Sequence, residues 1–445
     1  MKKFLADYIA CKSVSSDRSC AAGMADARRH LVKFFKSLSI DAREISVGGH
    51  AVVFAKTEQK PNRPTILVYG HYDVQPADDL ELWDSDPFTL VERGGRLYGR
   101  GASDNKGGHS AMLLAIGDTL AAGEKIFANL KFVIEGEEEI GSCSMPRFLR
   151  EMRDELGADF AIVADTWSLD EKNIVITTGL RGLVGCEISV RGCSSDIHSG
   201  YGGCIPNAIG ALADICSSLH ANGGAINIPG FYDAVTPPEE WELLQMKRLP
   251  MSDADMQKLF GIKQFQLPDA RFSALETMRF LPTLEFNGIC GGFQGDGIKT
   301  IIPHVASAKI TCRLVPNQDA ESVKCLLQKT LVDRCPKEML LSVKFEQASA
   351  PYWIDVERIK NPAFVKIMKL VDSEIEDVFG NGPIYLRDGG SIGIVPMMKS
   401  ILGIDSLLIG LSTADDNIHG PNESISLPMV EKGRKFFRSL FSKIR

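Results

Sequence analysis

Histidine and acidic residues follow four short apolar runs of this sequence, at the point where each run ends. A fifth acidic residue, Asp104, lies in a glycine-rich loop ahead of a helix-like segment. In open α/β sheets, ligands bind beyond the carboxyl ends of the strands, so these side chains are expected to meet at one edge. The runs, each with the residues that follow it, are 66–69 with His71 and Asp73, 130–134 with Glu138 and Glu139, 161–164 with Asp165, and 407–409 with His419.

Carboxylates that crowd one edge of a sheet need positive charge beside them. Asp104, Glu138, Glu139 and Asp165 would repel one another or take up protons, and Lys106 supplies only one positive charge. Two divalent cations would balance them, and the two histidines offer neutral nitrogen ligands suited to zinc. One carboxylate can bridge two metals about 3.5–4 Å apart. The set therefore predicts a two-metal site.

Each of these segments has a less specific interpretation when it is taken singly. A histidine or aspartate at a strand end is more often a turn or cap residue, and Asp165 alone could cap a helix. Residues 135–139 could form a solvated acidic loop. Their joint occurrence after predicted strands favours the metal site. His109 opens a helix beside the Asp104 loop and could support the site, but the pattern assigns it no role.

Apolar periodicity predicts the elements that position these residues. Strand-like and helix-like segments alternate in the first 180 residues, which predicts an α/β fold with a mostly parallel central sheet flanked by helices. The pattern changes to that of an α+β module and then returns to α/β character. We expect a catalytic domain over residues 1–181 and 357–445, with a second domain inserted at 182–356.

Bulk properties narrow the class of protein. A chain of 445 residues is too long for one core and suggests at least two domains. A net charge of −7 without a Lys/Arg run gives no support for nucleic-acid binding. No stretch approaches 18 apolar residues, which argues against a membrane partner, and the amino terminus is predicted to be an amphipathic helix. Eleven cysteines without a C-x-x-C pair indicate a reduced, cytoplasmic chain.

Five motifs, in this order, resemble the M20 metallopeptidases, particularly the dipeptidase branch that includes the carnosinases. The resemblance extends over nearly the whole chain, and the motifs are highly specific as a set. They are GHYDVQP at 70–76, GRGASDNKG at 99–107, EGEEEIGS at 135–142, ADT at 164–166 and IHGPNE at 418–423.

The resemblance implies a ligand assignment. His71 and Asp165 would hold one metal, Glu139 and His419 would hold the other, and Asp104 would bridge both. The metals would be two divalent ions, zinc foremost, with manganese and cobalt also compatible with this nitrogen and oxygen ligand set. The peptide bond after Asp104 is expected to be cis.

The resemblance also implies roles for residues beside the ligands. Glu138 would be the general base, and Asp73 would orient the imidazole of His71. Glu137 departs from the family pattern, because relatives often carry a neutral residue there. Its charge would either raise the pKa of Glu138 or face water.

The inserted module matches the family as well. His198, within residues 196–203, resembles the signature of a dimerisation domain, which implies a homodimer whose His198 stabilises the oxyanion in the partner's active site. Arg313, Thr300, Gly390 and Ser391 match positions that bind the substrate's free carboxylate. Residues 347–353, before and including Trp353, lack the histidine of carnosinase-like enzymes, which argues against specificity for carnosine.

The implied function is hydrolysis of dipeptides or short peptides with a free C-terminal carboxylate. A metal-bound water would attack the peptide bond while Glu138 takes its proton. One alternative is an M20-type deacylase acting on N-acyl amino acids or succinyl-diaminopimelate. Another is a non-catalytic metal-binding scaffold, against which the intact base and ligands argue. A nucleotide-binding protein is disfavoured, since neither G-x-G-x-x-G nor a Walker A sequence occurs.

Overall fold

The computed structural model describes residues 1–221 and 223–444. The chain divides into two compact units. Unit 1 comprises Met1–Thr178, Ile354–Leu386 and Ile392–Arg445, and unit 2 comprises Gly179–Trp353 and Arg387–Ser391. The predicted division lay at 181/182 and 356/357, and the roles predicted for the two domains remain predictions.

The strands of the described residues are numbered in chain order. They are β1 Asp41–Ile45, β2 Val52–Lys56, β3 Thr65–His71, β4 Val91–Arg93, β5 Arg96–Tyr98, β6 Asn129–Glu135, β7 Phe160–Trp167, β8 Val175–Leu180, β9 Gly182–Arg191, β10 Ile197–His198, β11 Thr283–Gly291, β12 Ile301–Ile302, β13 Val305–Leu314, β14 Leu340–Ser349, β15 Tyr352–Trp353, β16 Ile384–Arg387, β17 Asp405–Ser412 and β18 Ser424–Ser426.

The α-helices are numbered in the same way. They are α1 Lys2–Ile9, α2 Ala21–Ser37, α3 Lys106–Ala121, α4 Met145–Glu151, α5 Arg153–Leu156, α6 Ala208–Ser218, α7 Glu240–Met246, α8 Asp253–Phe260, α9 Ala274–Phe280, α10 Ala320–Arg334, α11 Pro362–Phe379, α12 Ile394–Met397 and α13 Leu427–Lys443. None of them combines the length and apolar composition needed to cross a bilayer.

Within unit 1, the large sheet includes the order β1-β2-β6-β3-β7-β17-β8, and β16 pairs with β8 beside this path. Its four central strands, β6, β3, β7 and β17, run parallel, and the pairs on either side are antiparallel. Residues 66–71 of β3 are all buried, as expected of a central strand covered on both faces. The predicted α/β fold class is confirmed.

Local signals in the sequence set the ends of the flanking helices. In α11, the side chain of Asn361 accepts hydrogen bonds from the first backbone amides, and Pro362 occupies the first helical position. Gly380 ends the helix with φ 102°, a conformation that glycine adopts readily.

Unit 2 contains an antiparallel sheet of order β11-β13-β9-β14. Burial alternates along β13, so one face of the sheet packs into the core. The apolar faces of α6 and α10 cover that face and complete one hydrophobic cluster. This unit is the inserted α+β module that the sequence predicts.

Candidate metal centre

Five predicted ligands meet at the carboxyl edge of the parallel strands of unit 1. His71 ends β3, Asp165 lies near the end of β7, and Glu139 lies in a short 3-10 turn that follows β6. His419 lies in the loop after β17, and Asp104 lies in the loop ahead of α3. Because these strands are parallel neighbours, their ends reach one edge, and the loops complete the cluster there.

The five side chains form two groups that share Asp104. In one group, His71 Nε2 lies 3.1 Å from Asp104 Oδ1 and 3.7 Å from Asp165 Oδ1. In the other, His419 Nε2 lies 3.0 Å from Asp104 Oδ2 and 3.2 Å from Glu139 Oε2. The candidate atoms of each group lie within 4.8 Å of one another, which is compact enough to surround one ion per group.

Hydrogen bonds fix the orientation of these side chains. The closest partner of His71 Nδ1 is the main-chain oxygen of Asp73, at 3.1 Å. A carbonyl only accepts, so Nδ1 carries a proton, and Nε2 is the ring nitrogen that faces the cluster. The Asp73 carboxylate lies 3.5 Å from Nδ1 through Oδ1 and accepts the Glu139 amide through Oδ2 at 3.1 Å. Gln75 Nε2 donates to Glu139 Oε2 at 2.9 Å, a contact that the sequence pattern did not predict.

The charges of the cluster perturb its titration strongly. Burial alone would lower the pKa of His71, but Asp165 and Asp104 raise it well above its usual value. Hydrogen bonds to Asp104 and Glu139 raise the pKa of His419 to about 10. Burial raises the pKa of Asp165 to about 6. Without a metal, protons on the histidines supply the positive charge that this cluster requires.

The residues present fit two divalent cations. Two imidazole nitrogens and three carboxylates form a donor set that zinc, manganese and cobalt accept. Glu139 Oε1 is buried, and no hydrogen-bond partner reaches it among the described residues. Such an orphaned carboxylate oxygen is costly unless a cation or a donor satisfies it.

Glu138 lies beside this cluster in the same 3-10 turn as Glu139. Burial raises the pKa of Glu138 well above its usual value, and Asp165 and Asp104 add to that effect. Glu137 is buried, so the alternative that it faces water is wrong. Its carboxylate accepts the backbone amides of His50 and Ser144, each at 2.8 Å, and thereby holds the loop.

A buried ion pair behind the cluster links two of its loops. Arg100 Nη1 donates to Glu423 Oε2 at 2.8 Å, and both side chains are 1% exposed. Glu423 also accepts the Asp104 amide at 3.0 Å, while Arg100 Nη2 donates to the His419 carbonyl at 3.2 Å. His419 has φ 63°, a conformation uncommon for residues other than glycine. The Asp104–Asn105 peptide bond is cis, as the resemblance implied.

The predicted site residues of unit 2 fall into two local groups. His198 pairs with Ile301 between β10 and β12, and the Ser199 amide donates to the Thr300 carbonyl at 3.0 Å. His198 Nδ1 accepts the Gly200 amide at 3.0 Å. This bond requires Nδ1 to be unprotonated, so a neutral His198 carries its proton on Nε2.

The second group contains the predicted carboxylate-binding residues. Arg313 Nη1 donates to Ser391 Oγ at 2.9 Å, and that hydroxyl donates to the Arg181 carbonyl. The Gly390 carbonyl accepts the Arg181 amide at 2.9 Å. The backbone at 389–391 is therefore fixed beside the guanidinium of Arg313, which is partly exposed.

The chain is similar to known peptidases in both sequence and fold. Residues 67–443 match the model of peptidase family M20/M25/M40. The beta-Ala-His dipeptidase of Homo sapiens is 31% identical over 393 residues, which cover 88% of this chain and 76% of that protein. The Cys-Gly metallodipeptidase dug1 of Schizosaccharomyces pombe is 30% identical over 97% of this chain and 93% of its own length. The crystal structure of an M20 family metallo-carboxypeptidase from Sulfolobus solfataricus has a TM-score of 0.87 and 29% identity, and the match covers 99% of this chain and 98% of that one.

Proposed function

We propose that this chain, which belongs to peptidase family M20/M25/M40, hydrolyses dipeptides or short peptides with a free C-terminal carboxylate. Its membership confirms the resemblance to M20 metallopeptidases that the sequence motifs indicated. The observation that carries the proposal is the pair of ligand groups that share Asp104, with Glu138 beside them. The dipeptidases to which the chain is similar support the substrate class.

The metal centre is proposed to hold two divalent cations, with zinc as the first candidate. His71 and Asp165 would hold one, Glu139 and His419 the other, and Asp104 both. Bound there, the cations would lower the pKa of a water toward about 7 and polarise the scissile carbonyl.

Glu138 is proposed as the general base. It would take the proton of the attacking water and pass that proton to the leaving amine. Its position in the same turn as Glu139 brings its carboxylate to the cluster without making it a member of either ligand group. Asp73 would hold His71 and Glu139 in place through the contacts described above.

His198 is proposed to donate a hydrogen bond to the developing oxyanion. The Gly200 amide selects the tautomer with a proton on Nε2, and a donor is what an oxyanion requires. The side chain is exposed in this chain. We propose that it acts in the active site of a partner subunit.

A homodimer is supported by an exposed apolar edge in unit 2. The edge strand β11 presents Phe286 and Ile289, which are 39% and 66% exposed. A groove of about 260 Å³ lies beside them and includes Cys216 and Ala308. An exposed apolar edge strand of this kind is usually covered by another chain. We propose that unit 2 serves as the lid and dimerisation domain.

The C-terminal carboxylate of the substrate is proposed to bind Arg313, with Thr300, Gly390 and Ser391 completing the subsite. Ser391 fixes one nitrogen of the guanidinium, which orients the planar fork for a carboxylate. We also propose a cytoplasmic location, which the eleven free cysteine thiols suit.

The test begins by removing metal with a chelator and restoring zinc, manganese or cobalt. Dipeptides, N-acyl amino acids and succinyl-diaminopimelate are then assayed with wild type, Glu138→Gln and Glu151→Gln. Glu151 is an exposed surface residue of unit 1 and serves as the control for the same chemical change. We expect metal-dependent dipeptide cleavage, lowered about 10²–10⁴-fold in kcat by Glu138→Gln, which still binds two metals.

Other outcomes separate the alternatives. Turnover of only the acylated substrates would assign the chain to the deacylases and reject the proposed specificity. Two bound metals without cleavage of any substrate would favour the non-catalytic scaffold. Full activity of Glu138→Gln would remove Glu138 from the mechanism.

A further inference from the structure

Two buried residues behind Asp165 form a hydrogen-bonded chain. The Asn105 side-chain nitrogen donates to Asp165 Oδ1 and to the Ala164 carbonyl, each at 2.7 Å. On the other side of the same amide, Asn105 Oδ1 lies 3.0 Å from His109 Nδ1. Asn105 and His109 are each 1% exposed, so solvent does not compete for these bonds.

The hydrogen-bonding groups around Asn105 and His109 permit only one orientation of the amide and one tautomer of the imidazole. The Ala164 carbonyl and the Asp165 carboxylate accept hydrogen bonds, so the Asn105 amino group must face them. Its oxygen then faces His109, whose Nδ1 must carry a proton. Burial lowers the pKa of His109 to about 3, so the ring is neutral with that single proton. The amide orientation and the tautomer therefore determine each other.

Close packing leaves the side chains of Asn105 and His109 no room to shift. A Cβ placed on Gly70 would lie 2.9 Å from His109 Cγ, so the imidazole lies directly against the backbone that precedes His71. A Cβ on Gly108 would lie 2.6 Å from the Ala164 oxygen and 3.3 Å from the Asn105 amide nitrogen. Both glycines are required by these approaches.

We propose that His109 and Asn105 are positioning residues for the metal centre, because His109 holds the Asn105 amide and that amide holds the Asp165 carboxylate toward its cation. This inference rests on the proposed function. His109 is not itself a ligand, since it belongs to neither ligand group and its Nδ1 is occupied by Asn105. Partners that orient a ligand typically change metal affinity by about 10–100-fold when they are removed.

The experiment compares His109→Phe, which keeps a ring but removes the donor, with His109→Asn, whose amide can donate from nearly the Nδ1 position. His30→Phe is the matched control, because His30 belongs to the same aromatic cluster around Tyr8 but does not contact Asn105. Zinc affinity at the two sites is measured by competition with a chromogenic chelator, and the melting temperature of the metal-free protein is recorded. We expect His109→Phe to lower one of the two affinities about 10–100-fold.

We expect His109→Asn to recover part of that affinity and His30→Phe to retain all of it. The metal-free His109→Phe protein should melt within a few degrees of wild type. If His109 had only a structural role, the melting temperature would fall together with the zinc affinity. Wild-type affinity at both sites in His109→Phe would overturn the inference. So would equal loss in His30→Phe, which would indicate a general effect of the aromatic cluster.

Asn105→Ala breaks the hydrogen bonds that link His109 to Asp165 and leaves the imidazole of His109 unchanged. It should lower the same affinity, and adding His109→Phe should cause no further loss if His109 acts through Asn105. Additive losses, or full affinity in Asn105→Ala, would reject the proposed chain. A wild-type protein that binds fewer than two zinc ions would overturn both this inference and the proposed function, whereas intact zinc binding in the variants would overturn this inference alone.

Discussion

Replacing Glu423 with glutamine should lower both the thermal stability of unit 1 and the affinity of its metal centre. Each oxygen of this buried carboxylate accepts two hydrogen bonds. Oε1 accepts the amides of Ser103 and Asp104 at 2.9 and 3.0 Å, and Oε2 accepts the Gly101 amide at 2.9 Å and Arg100 Nη1 at 2.8 Å. A glutamine side chain keeps the shape but presents an NH₂ group to two of these donors, whichever way it is turned.

The magnitude follows from what is left unpaired. Glu423→Gln leaves the buried guanidinium of Arg100 without its counter-charge, and breaking a buried ion pair costs about 3–5 kcal/mol. At about 2–4 °C per kcal/mol, the melting temperature should fall by about 10 °C. Because Glu423 also anchors the Asp104 amide, metal affinity should fall at least about tenfold.

Thermal unfolding of the metal-free protein separates the folding effect from the metal effect. Chelator competition then measures the affinities in the same preparation. Glu151→Gln is the control, since Glu151 makes an exposed ion pair with Arg147 that is worth no more than about 1 kcal/mol. If Glu423→Gln lowered the melting temperature no more than Glu151→Gln, the reasoning about the buried pair would be refuted.

Two further predictions concern other parts of the chain. A Cβ on Gly200 would lie 2.9 Å from His198 Nδ1, so Gly200→Ala should displace that imidazole. We expect kcat to fall about 10²-fold while the metal content stays unchanged. Gly210→Ala is the control and should leave kcat unchanged, because a Cβ at Gly210 meets no atom within 4 Å. Burial lowers the pKa of His30 to about 4, so the unfolded chain binds more protons below pH 6.5. The contribution of His30 to stability should therefore fall by about 2.5 kcal/mol as pH drops from about 6.5 to 4, and His30→Phe should remove that part of the slope in unfolding titrations.

The sequence predicts best where a segment has one dominant signal. The segment at 66–69 is apolar throughout and leads directly to His71. The sequence therefore predicts both the strand and the position of His71 at its end. Two long helices, α11 and α13, also carry a clear apolar stripe, which helical periodicity makes recognisable in the sequence. The rule that parallel strands end at a common edge brings four of the five ligands together, and the resemblance to the M20 metallopeptidases adds Asp104 as the bridge.

Elements that depend on a partner were missed. β1 reads DAREI and has no strong strand pattern, and it is a strand because it pairs with β2, which in turn pairs with β6. The link from His109 to Asp165 was missed for a similar reason. It depends on the orientation of one amide between segments 60 residues apart, which no local pattern encodes.

The contacts of the acidic residues distinguish the proposed ligands from the proposed base. Asp165 is held by Asn105 and Glu139 is held by Gln75, each through a hydrogen bond to the carboxylate. Among the described residues, no side chain or amide donates to the Glu138 carboxylate. A ligand must keep one geometry, so fixed donors serve it, whereas a general base must reach first a water and then a leaving amine. The same turn therefore holds two adjacent carboxylates, that of Glu139 fixed by Gln75 and that of Glu138 without a hydrogen-bond donor among the described residues. This difference favours Glu138 over Glu139 as the proton carrier.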